Sequence, residues 1–339
     1  MKKSLIIALG AIALVACTKT SVSYEQTGEI GFAPVVRKNS TKAAVQGAVQ
    51  GATFPEQNIM VFGYYDNSMP VNSAYKKGNF AVEYLPGVEF TQKTVGSTWT
   101  GKEHSYYWPK TGSMLFAGYS PVDFGIGKVK FSLGDNTFSV DTLVQPDFSD
   151  TKDLLYAGYT TSVLGGTVQM KFSHALSWVT VKAKAAAASE IKITNIKFVG
   201  LAAKGYSAGL PAWSVKEARE LNVFAPTSAF DVPADTTLVE SHKNCGLVFP
   251  QTLTDAEIVV SYEMNNGAGK WFAQAPFVKK LNLLTSGANT IDKWEAGKHY
   301  TYIINFSKIA GEPGSSNEIT IDPTVNDWTP VTADGISAN

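Results

Sequence analysis

The side chains of this chain best suited to chemistry are four histidines, two cysteines, two arginines and 29 acids. His104, His174, His242 and His299 stand singly. They lack the i, i+3 or i, i+4 pairing of a helical zinc site, and Cys17 and Cys245 are too far apart for a CxxC ligand pair. His242 lies close to Cys245 in Ser-His-Lys-Asn-Cys-Gly. A nucleophile and its base normally meet from distant segments, so Cys245 reads as a buried, inert thiol. Asp147, Asp150 and Asp153 have neither the spacing nor the glycine of a calcium loop. His174 falls in phase with apolar Met170 and Phe172 and reads as a core or edge histidine. GxSxG, phosphate-loop and dinucleotide motifs do not occur. Paired carboxylates drawn from the 29 acids are the one enzymatic arrangement that sequence leaves open. These residues point to no enzyme, no cofactor and no metal centre.

The N-terminus does carry a chemical instruction. Lys2 and Lys3 precede an apolar run from Leu5 to Ala16, and Leu14-Val15-Ala16-Cys17 has the small-residue approach to a cleavage site. The run is too short to cross about 30 Å of hydrocarbon, so residues 1–16 are predicted to be a signal peptide. Leu-Val-Ala-Cys resembles a bacterial lipobox, in which the thiol is acylated and becomes the mature N-terminus. Lipidation at Cys17 would hold the mature chain on a membrane surface, and two or more acyl chains make such anchoring durable. Cys245 is then a lone thiol, and stability must come from core burial instead of a disulfide.

The chain has material for that core. Its 339 residues are 44% hydrophobic and 12% aromatic, with 18 Phe, 14 Tyr and 7 Trp. Charged residues reach only 17%, and 29 basic side chains balance 29 acidic ones. That balance removes the electrostatic footprint of a nucleic-acid binder. Only Arg37 and Arg219 are arginine, so bidentate anion clamps are not a theme. Trp99, Trp108, Trp178, Trp271 and Trp294 all adjoin strand-like segments, where large rings usually fill a core. A sugar-stacking platform built from them is the alternative.

Period-2 and continuous apolar stretches rich in β-branched and aromatic residues dominate. They include Ile59 to Tyr65, Met114 to Tyr119, Val168-x-Met170-x-Phe172, Val179-x-Val181, Ile258 to Tyr262, Tyr300 to Phe306 and Ile319 to Val325. Ala183 to Ser189 and Val215 to Leu221 are predicted as short helices, too short to organise a layer. Many short strands without strand–helix–strand alternation predict an all-β chain of antiparallel sandwiches. A small-residue seam at Thr160 to Gly166 divides it into residues 17–163 and 164–339. Ser40 to Thr53, with its tandem Ala-Val-Gln-Gly, reads as a connection open to proteases.

The order of several short motifs resembles the Bacteroides-type fimbrillin family, the lipoprotein subunits of type V pili. Those motifs are the lipobox at Cys17; Ile30 to Phe32 followed by Ser40-Thr41-Lys42-Ala43; Phe54-Pro55 before Ile59; Tyr107-Trp108-Pro109 leading to Leu115-Phe116-Ala117-Gly118-Tyr119-Ser120-Pro121; Asp153-Leu154-Leu155-Tyr156-Ala157; Phe172-Ser173-His174-Ala175-Leu176-Ser177; Pro250-Gln251; Trp294 to Tyr302; and Val325-Asn326-Asp327-Trp328. The resemblance implies two transthyretin-like β-sandwich domains in tandem. It also implies assembly by strand exchange, in which a surface protease of arginine specificity cuts behind a first strand and the vacated groove accepts a strand of the neighbouring subunit. Carried onto this chain, the removable strand is residues 28–37 and the cut falls at Arg37, with Lys42 standing where relatives often have arginine. The donor is then the run from Asn317 to Trp328, with Ile319, Ile321 and Val325 as its apolar residues and Pro323 restricting it to an edge. The implied partners are neighbouring pilus subunits, the outer membrane and the protease. A pilus anchor that does not polymerise, or a surface glycan-binding lipoprotein, are the alternatives.

Overall fold

The computed structural model describes residues 28–36, 58–67, 82–94, 97–124, 127–144, 152–162, 164–185, 190–224, 229–234, 237–238, 245–265, 268–307 and 318–327. The described residues are all-β, as expected, with 3-10 turns at Val122–Phe124 and Leu281–Leu283 and no α-helix. The first half contributes β1 (Gly31–Val36), β2 (Ile59–Asp66), β3 (Val82–Gln92), β4 (Trp99–Gly101), β5 (Ser113–Ser120), β6 (Val129–Ser132), β7 (Thr137–Val144), β8 (Leu155–Ser162) and β9 (Thr167–His174). The second half contributes β10 (Ser177–Ala185), β11 (Ile191–Gly209), β12 (Ala212–Phe224), β13 (Phe230–Asp231), β14 (Thr237–Leu238), β15 (Cys245–Val248), β16 (Gln251–Thr252) and β17 (Glu257–Asn265). It ends with β18 (Trp271–Ala273), β19 (Phe277–Lys280), β20 (Thr285–Ser286), β21 (Asn289–Thr290), β22 (Lys293–Trp294), β23 (Lys298–Ser307) and β24 (Glu318–Asp327).

Seven strands close into a barrel in the order β1-β4-β3-β2-β5-β8-β9. Ile59, Val61 and Tyr65 of β2 point into its lumen, while Met60, Phe62 and Tyr64 pack outward against Phe131, Phe138 and Val140 of the β6–β7 hairpin. Strands β2 and β5 are therefore buried on both faces, which is why both read as continuous apolar runs and not as alternation. In the second half, a five-stranded sheet (β14-β10-β23-β24, with β15 beside β10) faces an eight-stranded one built around β17 and β11. Phe198, Ile258, Trp294, Tyr302, Ile304 and Phe306 fill the space between them.

Two pairings depart from the antiparallel expectation. β1 runs parallel to β9, and β10 runs parallel to β23. The first strand of each half thus pairs with a strand that arrives much later in the chain, and no local turn signal announces such a register. The predicted helix at Val215 to Leu221 is instead part of β12. Its partner β11 supplies a ladder broken by bulges, and the polar outer face of β12 mimics a short amphipathic helix. Of the other predicted helix, Ala183, Lys184 and Ala185 end β10 in extended form, and residues 186–189 lie outside the described residues.

β11 is nineteen residues long and belongs to both halves. Its first part pairs with β17, and its far end pairs with β7 through Lys204↔Val144, Gly205↔Leu143 and Ser207↔Val140. At the tip, Leu210 N–H donates to the Phe138 carbonyl at 2.9 Å, and Trp213 Nε1–H donates to the Ala175 carbonyl at 2.7 Å. Gly205 lets the arm lie against Phe249, since a Cβ there would come within 2.8 Å of the ring. β9 lies beyond the seam expected at residue 163 but pairs with β8 and β1. The chain changes from barrel to second-half partners between His174 and Ser177.

Candidate functional site

Strand β1 is the element on which the expected mechanism turns. On one side it pairs with β9 at six successive positions, from Gly31↔Thr167 to Val36↔Phe172. On the other it meets β4 only at Phe32↔Trp99. Ahead of that point the contact continues through single hydrogen bonds: Ile30 N–H donates to the Tyr106 carbonyl at 2.7 Å, and Trp108 N–H donates to the Gly28 carbonyl at 3.1 Å. The Tyr107 carbonyl between them accepts from Tyr84 Oη at 2.6 Å. β1 is a seam strand, held by a full ladder on one side and a short one on the other.

Its side chains reach the centre of the barrel. Ile30 and Phe32 are both 0% exposed. The Phe32 ring stands edge-on to Phe90 at 4.8 Å and to Phe116 at 5.1 Å, and Trp108 stands edge-on to Phe116 at 5.8 Å. Burial of one such side chain is worth about 1.5–3 kcal/mol, and each edge-to-face pair adds about 0.5–1.5 kcal/mol. Between the two anchors sits Gly31, where a Cβ would lie 2.4 Å from Thr98 Cγ2. Without β1, β9 would lose a six-position ladder and the lumen cluster would open to water. Unpaired N–H and C=O groups beside apolar surface are covered best by another strand.

The residues predicted to act at this site are distributed as follows. Ile30 directly precedes β1 and Phe32 is its second residue, and the chain reaches Arg37 directly after the last residue of β1. Cys17, Arg37 and the Ser40 to Thr53 connection lie outside the described residues. Ile319, Ile321 and Val325 lie in β24, far from this groove in the pairing order, opposite Phe306, Ile304 and Tyr300 of β23. Asn305 Nδ2 donates to Asp322 Oδ2 at 2.5 Å on the opposite face. Among the described residues β23 is the only strand paired with β24, so β24 is an edge strand, where Pro323 forfeits at most one ladder donor.

Each described histidine has different surroundings. His174 Nδ1 lies 2.8 Å from Asp153 Oδ2, both side chains buried where β8 and β9 meet the crossing into the second half. His299 stacks on Trp178, ring centroids 3.7 Å apart, with its Nε2 2.9 Å from Thr180 Oγ1. Burial, helped by the Lys182 charge, pushes His299 down to about 4. His104 is exposed, and His242, Asp147 and Asp150 lie outside the described residues. Among the described residues no three His, Cys, Asp or Glu side chains gather to hold a metal. Trp99, Trp108, Trp178 and Trp294 are buried, and Trp271 lies under Lys192 Nζ at 4.2 Å. Sequence reasoning passed over the Gly31 notch and the β11–β12 arm. The bare signal for the first is a glycine between two large apolar residues.

The family model described as fimbrillin-like matches residues 41–328. No curated protein matches the chain. Among solved structures, a fimbrial protein from Bacteroides vulgatus ATCC 8482 is similar at TM-score 0.55 and 16% identity, over 88% of this chain and 99% of that one. A candidate cell adhesion protein from Bacteroides uniformis ATCC 8492 is similar at TM-score 0.49 and 16% identity, over 89% and 98% of the two chains. The first of these likenesses is one of fold. Membership rests on the family match, which begins after β1 and spans β2 through β24: the chain belongs to the fimbrillin-like family.

Proposed function

We propose that the chain is a structural subunit of a type V pilus, exported as an outer-membrane lipoprotein through Cys17 and serving cell adhesion at the surface. A surface protease cuts at Arg37, β1 leaves the barrel, and a strand of a neighbouring subunit takes its place. The observation that carries this reading is the seating of β1: a strand with a short ladder on one side, two wholly buried anchors, and a candidate cleavage residue directly behind it. β24, through Ile319, Ile321 and Val325, is the strand this chain offers in return, because an edge strand at the C-terminal end can leave without opening a closed sheet. The expected division into 17–163 and 164–339 then marks a receiving and a donating part, with β9, from beyond residue 163, completing the receiving barrel and β11 tying the two together.

The test is to incubate residues 18–339 with an arginine-specific protease, identify the new N-terminus by mass and add a fluorescent peptide of residues 28–36 as a stand-in donor strand. Cleavage after Arg37 followed by retention of the peptide through gel filtration is expected. An intact chain, or a cut chain that retains no peptide, overturns the reading and leaves a pilus anchor or a glycan-binding lipoprotein.

A further inference from the structure

The groove of β1 also says which strand it will accept. Resting on the strand-exchange reading above, we infer that it selects an aliphatic–glycine–aromatic segment and rejects this chain's own C-terminal strand, so that the incoming subunit is not another copy of this chain.

Three features of the groove set the requirement. The pocket between Phe90 and Phe116 is filled by a ring meeting both edge-on, and the neighbouring pocket holds the aliphatic Ile30. Between them, the backbone passes so close to Thr98 that a Cβ at position 31 would sit 2.4 Å from its Cγ2. Thr98 is β-branched and leads directly into β4, whose Trp99 is the residue paired with Phe32. A single methyl could be met by turning Thr98. A branched or polar side chain carries more atoms into the same space, where Thr98 Cβ and the Trp99 carbonyl already lie 3.6 and 3.7 Å from that Cβ.

β24 can fill the aliphatic pocket but fails the other two requirements. Its inward-facing residues are Ile319, Ile321, Pro323 and Val325, none of them aromatic. Whichever two neighbours of that row fill the two pockets, and in whichever direction the strand runs, the residue over the notch is Thr320, Asp322 or Thr324. An Ile in place of Phe32 forfeits both ring contacts, and Thr or Asp in place of Gly31 meets Thr98. The chain is therefore built to give a strand to one kind of neighbour and to take a strand from another, which orders subunits along a filament instead of repeating one.

The experiment uses the mature chain, residues 18–339, with a specific protease sequence inserted after Arg37, so that opening does not depend on natural cleavage. After cutting, it is offered three fluorescent peptides: residues 28–36, the same peptide with Gly31→Thr, and residues 317–328. The first is expected to be retained, and the other two to bind at least about tenfold more weakly, a difference of about 1.4 kcal/mol. Thr98→Ala in the protein is expected to recover most of the loss of the Gly31→Thr peptide. Retention of the 317–328 peptide equal to that of 28–36, or no recovery with Thr98→Ala, overturns the selectivity while leaving strand exchange intact. If the cut chain retains none of the peptides, 28–36 included, strand exchange itself is overturned, and the selectivity with it.

Discussion

Phe32→Ala is the sharpest probe of how β1 is held. The ring is fully buried and makes two edge-to-face contacts, with Phe90 and Phe116. Truncating a core Phe to Ala costs about 3–5 kcal/mol, of which the two ring pairs supply about 1–3 kcal/mol and the lost transfer and cavity terms the rest. With an m value of about 2–3 kcal/mol per molar urea, a loss of about 4 kcal/mol lowers the unfolding midpoint by about 1.3–2 M. Near-ultraviolet circular dichroism from Trp99 and Trp108, both in the lumen, follows the barrel through that transition. If β1 leaves before the barrel unfolds, the same 4 kcal/mol raises exchange of the β9 amides that face it by about three powers of ten. Phe272→Ala, at a ring 50% exposed on β18, is the control and should stay within about 0.5 kcal/mol of the parent. A Phe32→Ala loss below about 1 kcal/mol, or one equal to the control, would refute the claim that this ring anchors the first strand.

Three further outcomes follow from the second half and the arm. His299 is held at about 4 against 6.5 when unfolded, so the unfolded chain takes up its proton first. The stability it contributes is complete above about pH 6.5 and is lost as pH falls toward 4, by up to about 1.4 kcal/mol per pH unit and about 3 kcal/mol in all; thermal melts at pH 7 and 4.5 should show a slope that His299→Gln reduces. Trp294 Nε1 donates to Tyr302 Oη at 2.8 Å with both groups buried, so Tyr302→Phe should cost about 1–3 kcal/mol in urea unfolding by orphaning the indole donor. Gly205→Val drives a branched side chain into Phe249 where the arm crosses to β7, and should destabilise by about 1–3 kcal/mol with faster proteolysis of the β11–β12 tip.

What the sequence made legible was whatever is written in local pattern. Val168, Met170 and Phe172 alternate because one face of β9 lines the lumen, and Tyr300 to Phe306 alternates because β23 covers the second core. Ile30 and Phe32 could be paired as anchors for the same reason. Val215 to Leu221 misled because β12 bears charges on an arm with a solvent face, and because Glu217, at φ 61°, breaks the period-2 rhythm a strand should show. The parallel pairings could not be read at all: nothing in GFAPVV names TVQMKF as its partner. Gly31 was visible as a residue, but its meaning depends on Thr98, which arrives from another strand.

The parallel ladder between β1 and β9 also fixes a sequence of events in folding. Gly31 has no ladder partner until Thr167 exists, and Val36 none until Phe172 does, so the first strand to emerge is among the last the barrel can seat. Non-local pairings of this kind delay folding, since the loop entropy is lost before the contacts form. Until then β1 is an apolar segment without its ladder partner, and the barrel closes only when β9 has arrived to meet it.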